Sequence, residues 1–200
     1  MIRRASRSGG GLAALLLPVL PSQAHITVKG IDEIGSGALH PLMTPAHVLI
    51  LLGLGLFLGQ QVPFRLKPAS TSLSLGSAAA LALTMTGRFP GVPQPVLIGI
   101  ALGIAVLVAL ERQVPQAVTV TLCAICAVAI GLDSAMETGT TLAIVKTLLG
   151  TWITLNLAIP YIAICASNGA GKQWAKIAIR VAGSWIFAIA LMVLAFALRK

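Results

Sequence analysis

The sequence predicts an all-α, polytopic membrane bundle of about six transmembrane helices that follow an N-terminal signal peptide. Of the 200 residues, 57% are hydrophobic and only 10% are charged, whereas a soluble domain usually carries roughly a quarter charged residues. So few charges cannot cover a surface exposed to water, and the chain length suits one compact bundle. The composition therefore indicates that most of the chain lies in a bilayer.

The net charge of +9 does not indicate nucleic-acid binding. The basic residues form no stripe but stand between apolar runs, where orientation in the bilayer explains them better. We therefore expect no nucleic-acid partner. The three cysteines, Cys123, Cys126 and Cys165, all lie inside apolar runs and are interpreted as small packing residues rather than as a redox or zinc motif.

Residues 1–24 have the three parts of a secretory signal peptide. A basic start precedes an apolar core over residues 12–20, and small residues precede a cleavage site after Ala24. Cleavage there leaves residues 25–38 as a short periplasmic segment; an uncleaved signal anchor is the alternative. His25 would then be the N-terminal residue, whose amine and imidazole could chelate a divalent metal, although cleavage sites tolerate many residues at this position.

Six apolar stretches make up the predicted bundle, which covers residues 39–200. The predicted spans are residues 40–59, 66–86, 93–110, 115–132, 142–166 and 175–198. Each approaches the ~20 helical residues that cross about 30 Å of hydrocarbon, and the second is the least apolar. Two glycine pairs with GxxxG spacing, Gly55 with Gly59 and Gly99 with Gly103, predict close helix packing.

The segments between the spans predict the orientation of the bundle. If the mature N-terminus is periplasmic, the cytoplasmic loops contain Arg65, Lys67, Arg112, Lys172 and Lys176. The positive-inside rule favours this arrangement, and it agrees with the signal peptide. The sequence therefore predicts a multi-pass protein of the bacterial inner membrane.

Ionisable side chains at membrane depth are costly and therefore point to function. His40 and His47 open the first span. On a regular helix they share a face but lie about 10 Å apart along the axis, too far to bind one ion, unless Pro45 kinks the helix. Neutral imidazole suits Ni²⁺, Co²⁺, Zn²⁺ and Cu²⁺. Met43 could add a sulfur ligand, with apolar packing as the alternative.

Two carboxylates close the fourth span. Asp133 and Glu137 are four residues apart, so they can share a helix face, and Ser134 lies beside them as a further candidate. In the predicted orientation they meet His40 and His47 near the periplasmic side and form a cation site; the alternative is a solvated loop. No histidine follows His47 to pair with Ser134 as a nucleophile, so we do not expect an enzyme.

The pattern at the start of the first span is specific enough for comparison with a family. His40-Pro41 is followed by His47 and then by a Gly-Leu pair. This resembles the HupE/UreJ family, hydrogenase- and urease-accessory membrane proteins taken to be nickel or cobalt permeases, whose first span opens with a motif like HPxxGxDH. Thr44 and Ala46 stand where the family has Gly and Asp.

The fourth span departs from the same family. The family motif there is like HGxAHGxE; Glu137 matches its last residue, whereas Ile130 and Ser134 replace both histidines and Asp133 adds a carboxylate. The resemblance implies Ni²⁺ or Co²⁺ as a transported ligand and no permanently bound cofactor. The change from imidazole to oxygen ligands leaves a different cation, or loss of transport, as alternatives.

The leading interpretation is an inner-membrane permease for a divalent transition metal, nickel or cobalt, that supports urease- or hydrogenase-type metalloenzyme maturation. Its expected partners are the lipid bilayer, the metal ion, metalloenzyme maturation proteins and further copies of the chain in a homo-oligomer. One alternative is a non-transporting membrane scaffold. Another is a channel for a small neutral solute such as urea, which the mid-span residues Thr151, Thr154 and Asn156 motivate.

Overall fold

The computed structural model describes residues 31–89, 91–136 and 139–199. These residues form seven α-helices and no strand: α1 Glu33–Met43, α2 Pro45–Gln60, α3 Leu66–Thr84, α4 Gln94–Ala109, α5 Gln116–Asp133, α6 Thr141–Gly169 and α7 Gln173–Leu198. The predicted all-α class is confirmed. The predicted signal peptide, residues 1–24, lies outside the described residues.

Helices α2 to α7 follow the six predicted apolar stretches, but the first stretch is divided. α1 and α2 meet at a bend of 76°, and Thr44 is the residue between them. Pro45 is the first residue of α2 and has no N–H to continue the hydrogen bonding of α1. The kink expected at Pro45 is therefore present, and α1 is a separate short helix.

Length and apolar composition identify candidate membrane spans. Among the described residues, α5, α6 and α7 qualify individually, and the bent pair α1 and α2 counts as a fourth candidate. α4 is apolar but shorter, at 16 residues. α7 exposes large apolar side chains such as Trp174, Trp185 and Phe196, which is what a helix in contact with lipid requires.

Glycine lets α2 approach α6 closely. A Cβ at Gly59 would lie 2.6 Å from the Ala163 carbonyl oxygen, and one at Gly55 would lie 2.6 Å from the Ile162 side chain. The packing predicted for this pair is therefore present. Gly99 and Gly103 of α4 differ, because a Cβ at either would have no neighbour within 4 Å; among the described residues, that second pair makes no close helix contact.

Two loops with the same three residues meet at one end of the bundle. Gln61-Val62-Pro63 joins α2 to α3, and Gln113-Val114-Pro115 joins α4 to α5. The backbone N–H of Val62 donates to Gln113 Oε1 at 2.8 Å, and that of Val114 donates to Gln61 Oε1 at 3.1 Å. The bonds are therefore reciprocal. We call this the glutamine end, and the opposite end, where α2 begins and α5 ends, the histidine end.

The helices that flank these loops also contact each other at related positions. Gly53 of α2 approaches Ile104 of α4, Gly76 of α3 approaches Ala127 of α5, and Gly131 of α5 approaches Ala80 of α3. Each of these pairs is separated by 51 residues, close to the 52 that separate Gln61 from Gln113 in the two loops. Equivalent positions meet each other across a two-fold axis. The hairpins α2–α3 and α4–α5 are therefore related by an approximate two-fold axis.

Candidate functional site

The bend between α1 and α2 brings two imidazoles together at the histidine end. His40 lies near the end of α1 and His47 in the first turn of α2. Their ring centroids are 5.3 Å apart, with the ring planes at 75°. His47 is fully buried, and His40 is half-buried. The separation of about 10 Å expected on a regular helix does not apply, because the helix is bent.

A carboxylate from α5 contacts the buried histidine. His47 Nε2 lies 2.9 Å from Asp133 Oδ2. A carboxylate accepts hydrogen bonds, so the neutral His47 tautomer that fits this contact has its proton on Nε2 and its lone pair on Nδ1. Nδ1 is buried and has no hydrogen-bond partner among the described residues. The pair therefore presents one imidazole nitrogen that is available to a cation.

The loop before α4 holds the other oxygen of the carboxylate. The backbone N–H of Val92 donates to Asp133 Oδ1 at 3.3 Å. Gly91, the preceding residue, has φ of 91°, a conformation that residues with a side chain rarely adopt. A Cβ there would also lie 3.6 Å from Asp133 Oδ1. This turn therefore presents a backbone donor to the carboxylate without placing a side chain against it.

Helix α6 anchors the helix that carries His40. Pro41 lies inside α1 and has no N–H for the Gly37 carbonyl one turn earlier. The Thr151 hydroxyl donates to that carbonyl oxygen at 3.0 Å, and the Thr154 hydroxyl donates to the Ala38 carbonyl oxygen at 2.8 Å. Two side chains of α6 therefore bond the backbone of α1 one turn before His40.

The structure brings together some of the predicted site residues. His40, His47 and Asp133 meet at the histidine end. The Met43 side chain is 56% exposed, and the Ser134 hydroxyl donates to the Ile130 carbonyl oxygen of its own helix at 2.8 Å. The other two candidates, Glu137 and His25, lie outside the described residues. Within the described ranges, no group of three or more His, Cys, Asp or Glu is arranged to hold a metal ion.

Sequence reasoning missed the backbone donor at Val92 and the hydroxyl donors at Thr151 and Thr154. The first carries no side-chain signal. The hydroxyls could have been found from Pro41, because a proline inside a helix leaves a carbonyl that another donor must satisfy. These residues bond the side chain or the helix that carries the site, and they are not themselves candidate ligands.

Comparison with known proteins identifies the family. The family model described as HupE / UreJ protein matches residues 13–193. No curated protein gives a significant match to the chain, and no solved structure does so. The family match spans the bent helix pair, Asp133 and both hairpins, and the helices long and apolar enough to cross a membrane agree with it. The chain belongs to the HupE/UreJ family.

Proposed function

We propose that this chain is an inner-membrane permease that imports a divalent transition metal, nickel or cobalt. The observation that carries the proposal is the pair of imidazoles at the histidine end, one of them held by a carboxylate from another helix. Family membership supports the same function, because the HupE/UreJ family is associated with nickel or cobalt transport and with accessory roles for metalloenzymes.

The spacing of the two rings suits a shared ion. If two imidazoles bind one tetrahedral ion through nitrogen bonds of about 2.0 Å, their ring centroids lie roughly 5 Å apart. The centroids of His40 and His47 are 5.3 Å apart. The separation of the rings therefore allows both to bind one ion once a nitrogen of each points to the same place. The ion would be cargo, so the site needs only enough ligands to take it from water and release it.

Asp133 has a different proposed role from the two histidines. A ligating histidine usually donates its other ring N–H to a carboxylate, which fixes the ring and makes the ligand more basic. Asp133 Oδ2 makes this contact with His47 Nε2, so Nδ1 is the proposed metal-binding nitrogen. Ala46 stands where the family has an Asp beside this histidine, and Asp133 supplies a carboxylate from α5 instead. Glu137 remains a proposed ligand near the same helix end.

The proposed topology has six spans behind a cleaved signal peptide, with the mature N-terminus in the periplasm. α1 and α2 together form the first span, and the histidine end faces the periplasm. The basic residues Arg65, Arg112, Lys172 and Lys176 then lie on the cytoplasmic side, as the positive-inside rule favours. The two-fold relation between hairpins α2–α3 and α4–α5 also fits, since parallel repeats about an axis along the membrane normal recur in transporters.

Uptake of ⁶³Ni²⁺ by the purified protein in liposomes tests the proposal. Wild type should show saturable uptake above empty liposomes, with Co²⁺ competing. His47→Ala should abolish it and His40→Ala should strongly reduce it. Cys126→Ala is the matched control, because Cys126 is equally buried but belongs to no part of the site. Full uptake by His47→Ala would contradict the proposed site.

Absence of uptake by wild type would favour the alternative of a non-transporting scaffold for metalloenzyme maturation proteins.

The structure provides less motivation for a urea channel. The hydroxyls of Thr151 and Thr154 donate to α1 carbonyls, and the Asn156 amide donates to the Trp152 carbonyl oxygen at 2.9 Å. The polar groups that prompted this alternative are thus bonded within the protein. Urea flux independent of metal would revive it.

A further inference from the structure

We propose that Thr151 is a positioning residue for the two histidines: its hydroxyl holds α1 against α6 and thereby holds His40 beside His47. The importance of this position for metal uptake rests on the proposed function. The contact itself does not, so it can be tested with or without metal.

The Thr151 hydroxyl replaces a hydrogen bond that α1 lacks. In an α-helix the carbonyl of residue 37 accepts from the N–H of residue 41, but residue 41 is a proline. Gly37 and Thr151 are both buried, so water does not readily supply the missing donor. A buried carbonyl without a donor is costly. Thr151 Oγ1 provides the donor at 3.0 Å. The Gly37 carbonyl of α1 therefore has this hydrogen bond only when α6 is in place.

Two glycines bring the backbones of α1 and α6 into contact at this point. A Cβ at Gly37 would overlap the Thr147 backbone carbonyl, and a Cβ at Gly150 would overlap the Ile34 backbone carbonyl. With no side chain between them, the two backbones are in direct contact, which restricts rotation of α1 against α6. The hydroxyl bonds of Thr151 and Thr154 then select one register of α1 along α6, because each reaches a particular carbonyl.

The bend makes this anchor necessary for His40. α1 is only 11 residues long, and Pro45 interrupts the helical bonding between α1 and α2. Thr44 links the two helices locally, since both its N–H and its hydroxyl bond the His40 carbonyl oxygen, at 3.2 and 3.0 Å. These bonds join the helices at one point but do not set the direction of α1. The contact with α6 sets it.

Three variants test whether the Thr151 hydroxyl, rather than the shape of the side chain, holds α1. Thr151→Val keeps the shape but removes the donor, and Thr151→Ser keeps the donor. Thr147→Val is the matched control, because the Thr147 hydroxyl bonds the Ala143 carbonyl oxygen of its own helix at 3.0 Å. Thr151→Val should raise KM for Ni²⁺ uptake about 10-fold, as loss of groups that orient ligands does, with little change in maximal rate. Thr151→Ser and Thr147→Val should resemble wild type.

Replacing Pro41 tests the stated cause. Pro41→Ala gives the Gly37 carbonyl an N–H donor within α1, so the Thr151 hydroxyl should become less important. The effect of Thr151→Val on KM should fall below about threefold in the Pro41→Ala background, which a double-mutant cycle measures. An equal effect in both backgrounds would overturn this cause, because the hydroxyl would then not be compensating for proline.

Spin labels test the position of α1 without metal. The labels go on Leu42→Cys of α1 and Tyr161→Cys of α6, whose side chains are 47% and 69% exposed, in a Cys165→Ser background because Cys165 is exposed. The inter-label distance distribution should be narrow in wild type, Thr151→Ser and Thr147→Val, and should broaden in Thr151→Val.

The two readouts distinguish failure of the inference from failure of the proposed function. If wild type takes up no Ni²⁺, the permease proposal fails, and the label distances alone decide the role of Thr151. If Thr151→Val leaves the distance distribution unchanged, the positioning role is overturned whether or not metal is transported. If Thr151→Val does not accumulate in the membrane, Thr154→Val replaces it in both measurements, with a smaller broadening expected.

Discussion

The two ends of the bundle use polar groups in different ways. At the glutamine end, the Gln61 side chain bonds the backbone on both sides of Gln113, and the Gln113 side chain bonds the backbone on both sides of Gln61. At the histidine end, His47 is fully buried and uses one nitrogen towards Asp133, while the other has no hydrogen-bond partner among the described residues. Gln60 Oε1 at the glutamine end also has no hydrogen-bond partner among these residues, so unused bonding capacity does not by itself separate the two ends. The difference is chemical, because the histidine end presents an imidazole nitrogen, a common metal ligand, whose ring is held by a carboxylate.

The symmetry of the fold makes this difference clearer. The two-fold axis relates α2 to α4, and the residues of α4 that lie 51 and 52 positions after His47 are Ile98 and Gly99. Helix α4 contains no histidine. The repeated architecture therefore supports two equivalent helix ends, but the sequence places an imidazole on only one of them. We expect substitutions at the histidine end to change metal uptake and substitutions at the glutamine end to change stability.

After the histidine substitutions described above, the largest effect is expected for Asp133→Ala. The substitution leaves His47 buried without its partner and frees the ring to rotate, so metal affinity should fall by ~10–100-fold. Isothermal titration with Ni²⁺ and the liposome uptake assay measure this change. Asp133→Asn keeps a hydrogen-bonding group of the same size and should lose less. Unchanged affinity in Asp133→Ala would mean that the carboxylate does not orient the histidine.

Gly59→Ala should mainly reduce stability. The added Cβ would lie 2.6 Å from the Ala163 carbonyl oxygen, and overpacking of this kind typically costs about 1–3 kcal/mol. Thermal unfolding in detergent should show a lower Tm, while Ni²⁺ uptake per folded molecule stays near the wild-type value. If the variant lost uptake at an unchanged Tm, it would contradict the expectation that the glutamine end affects stability and the histidine end affects uptake.

A loss of stability no larger than that of Gly59→Ala is expected for Gln113→Ala, because the bond between Val62 and Gln113 is exposed to water. Gln113 accepts from the Val62 N–H and donates to the Gln60 carbonyl oxygen, both at 2.8 Å. Each bond contributes about 0.5–1.5 kcal/mol, so the variant should unfold at lower temperature. Gln113→Glu keeps the acceptor but loses the donor and should fall between wild type and Gln113→Ala. A variant as stable as wild type would show that the reciprocal bonds do not hold the loops together.

The smallest effect is expected for Gly99→Ala. A Cβ at this position has no neighbour within 4 Å, and alanine favours a helix over glycine by up to about 1 kcal/mol. Tm should stay the same or rise slightly, in contrast to Gly59→Ala. A clear fall in Tm would show that Gly99 packs against a surface outside this chain, such as a second copy of it.

The apolar pattern predicted the helices well because burial in lipid requires long apolar stretches with satisfied backbone groups. Helices α2 to α7 follow the six predicted stretches within a few residues. The pattern did not predict α1 as a separate helix, because residues 33–39 mix polar and apolar side chains and Pro41 lies within it. It also did not distinguish the glycine pair that packs from the one that does not, since spacing alone does not show which face meets a neighbour.

Composition and local motifs were enough to predict the helical class, the family and the residue types that could bind a metal. They did not predict that the rings of His40 and His47 lie 5.3 Å apart, because that distance depends on a bend and on the proposed anchor at Thr151. Nor did they predict the contact between Asp133 and His47, which are separated by 86 positions. Such contacts arise when helices pack against each other, and no local pattern encodes which side chains then meet.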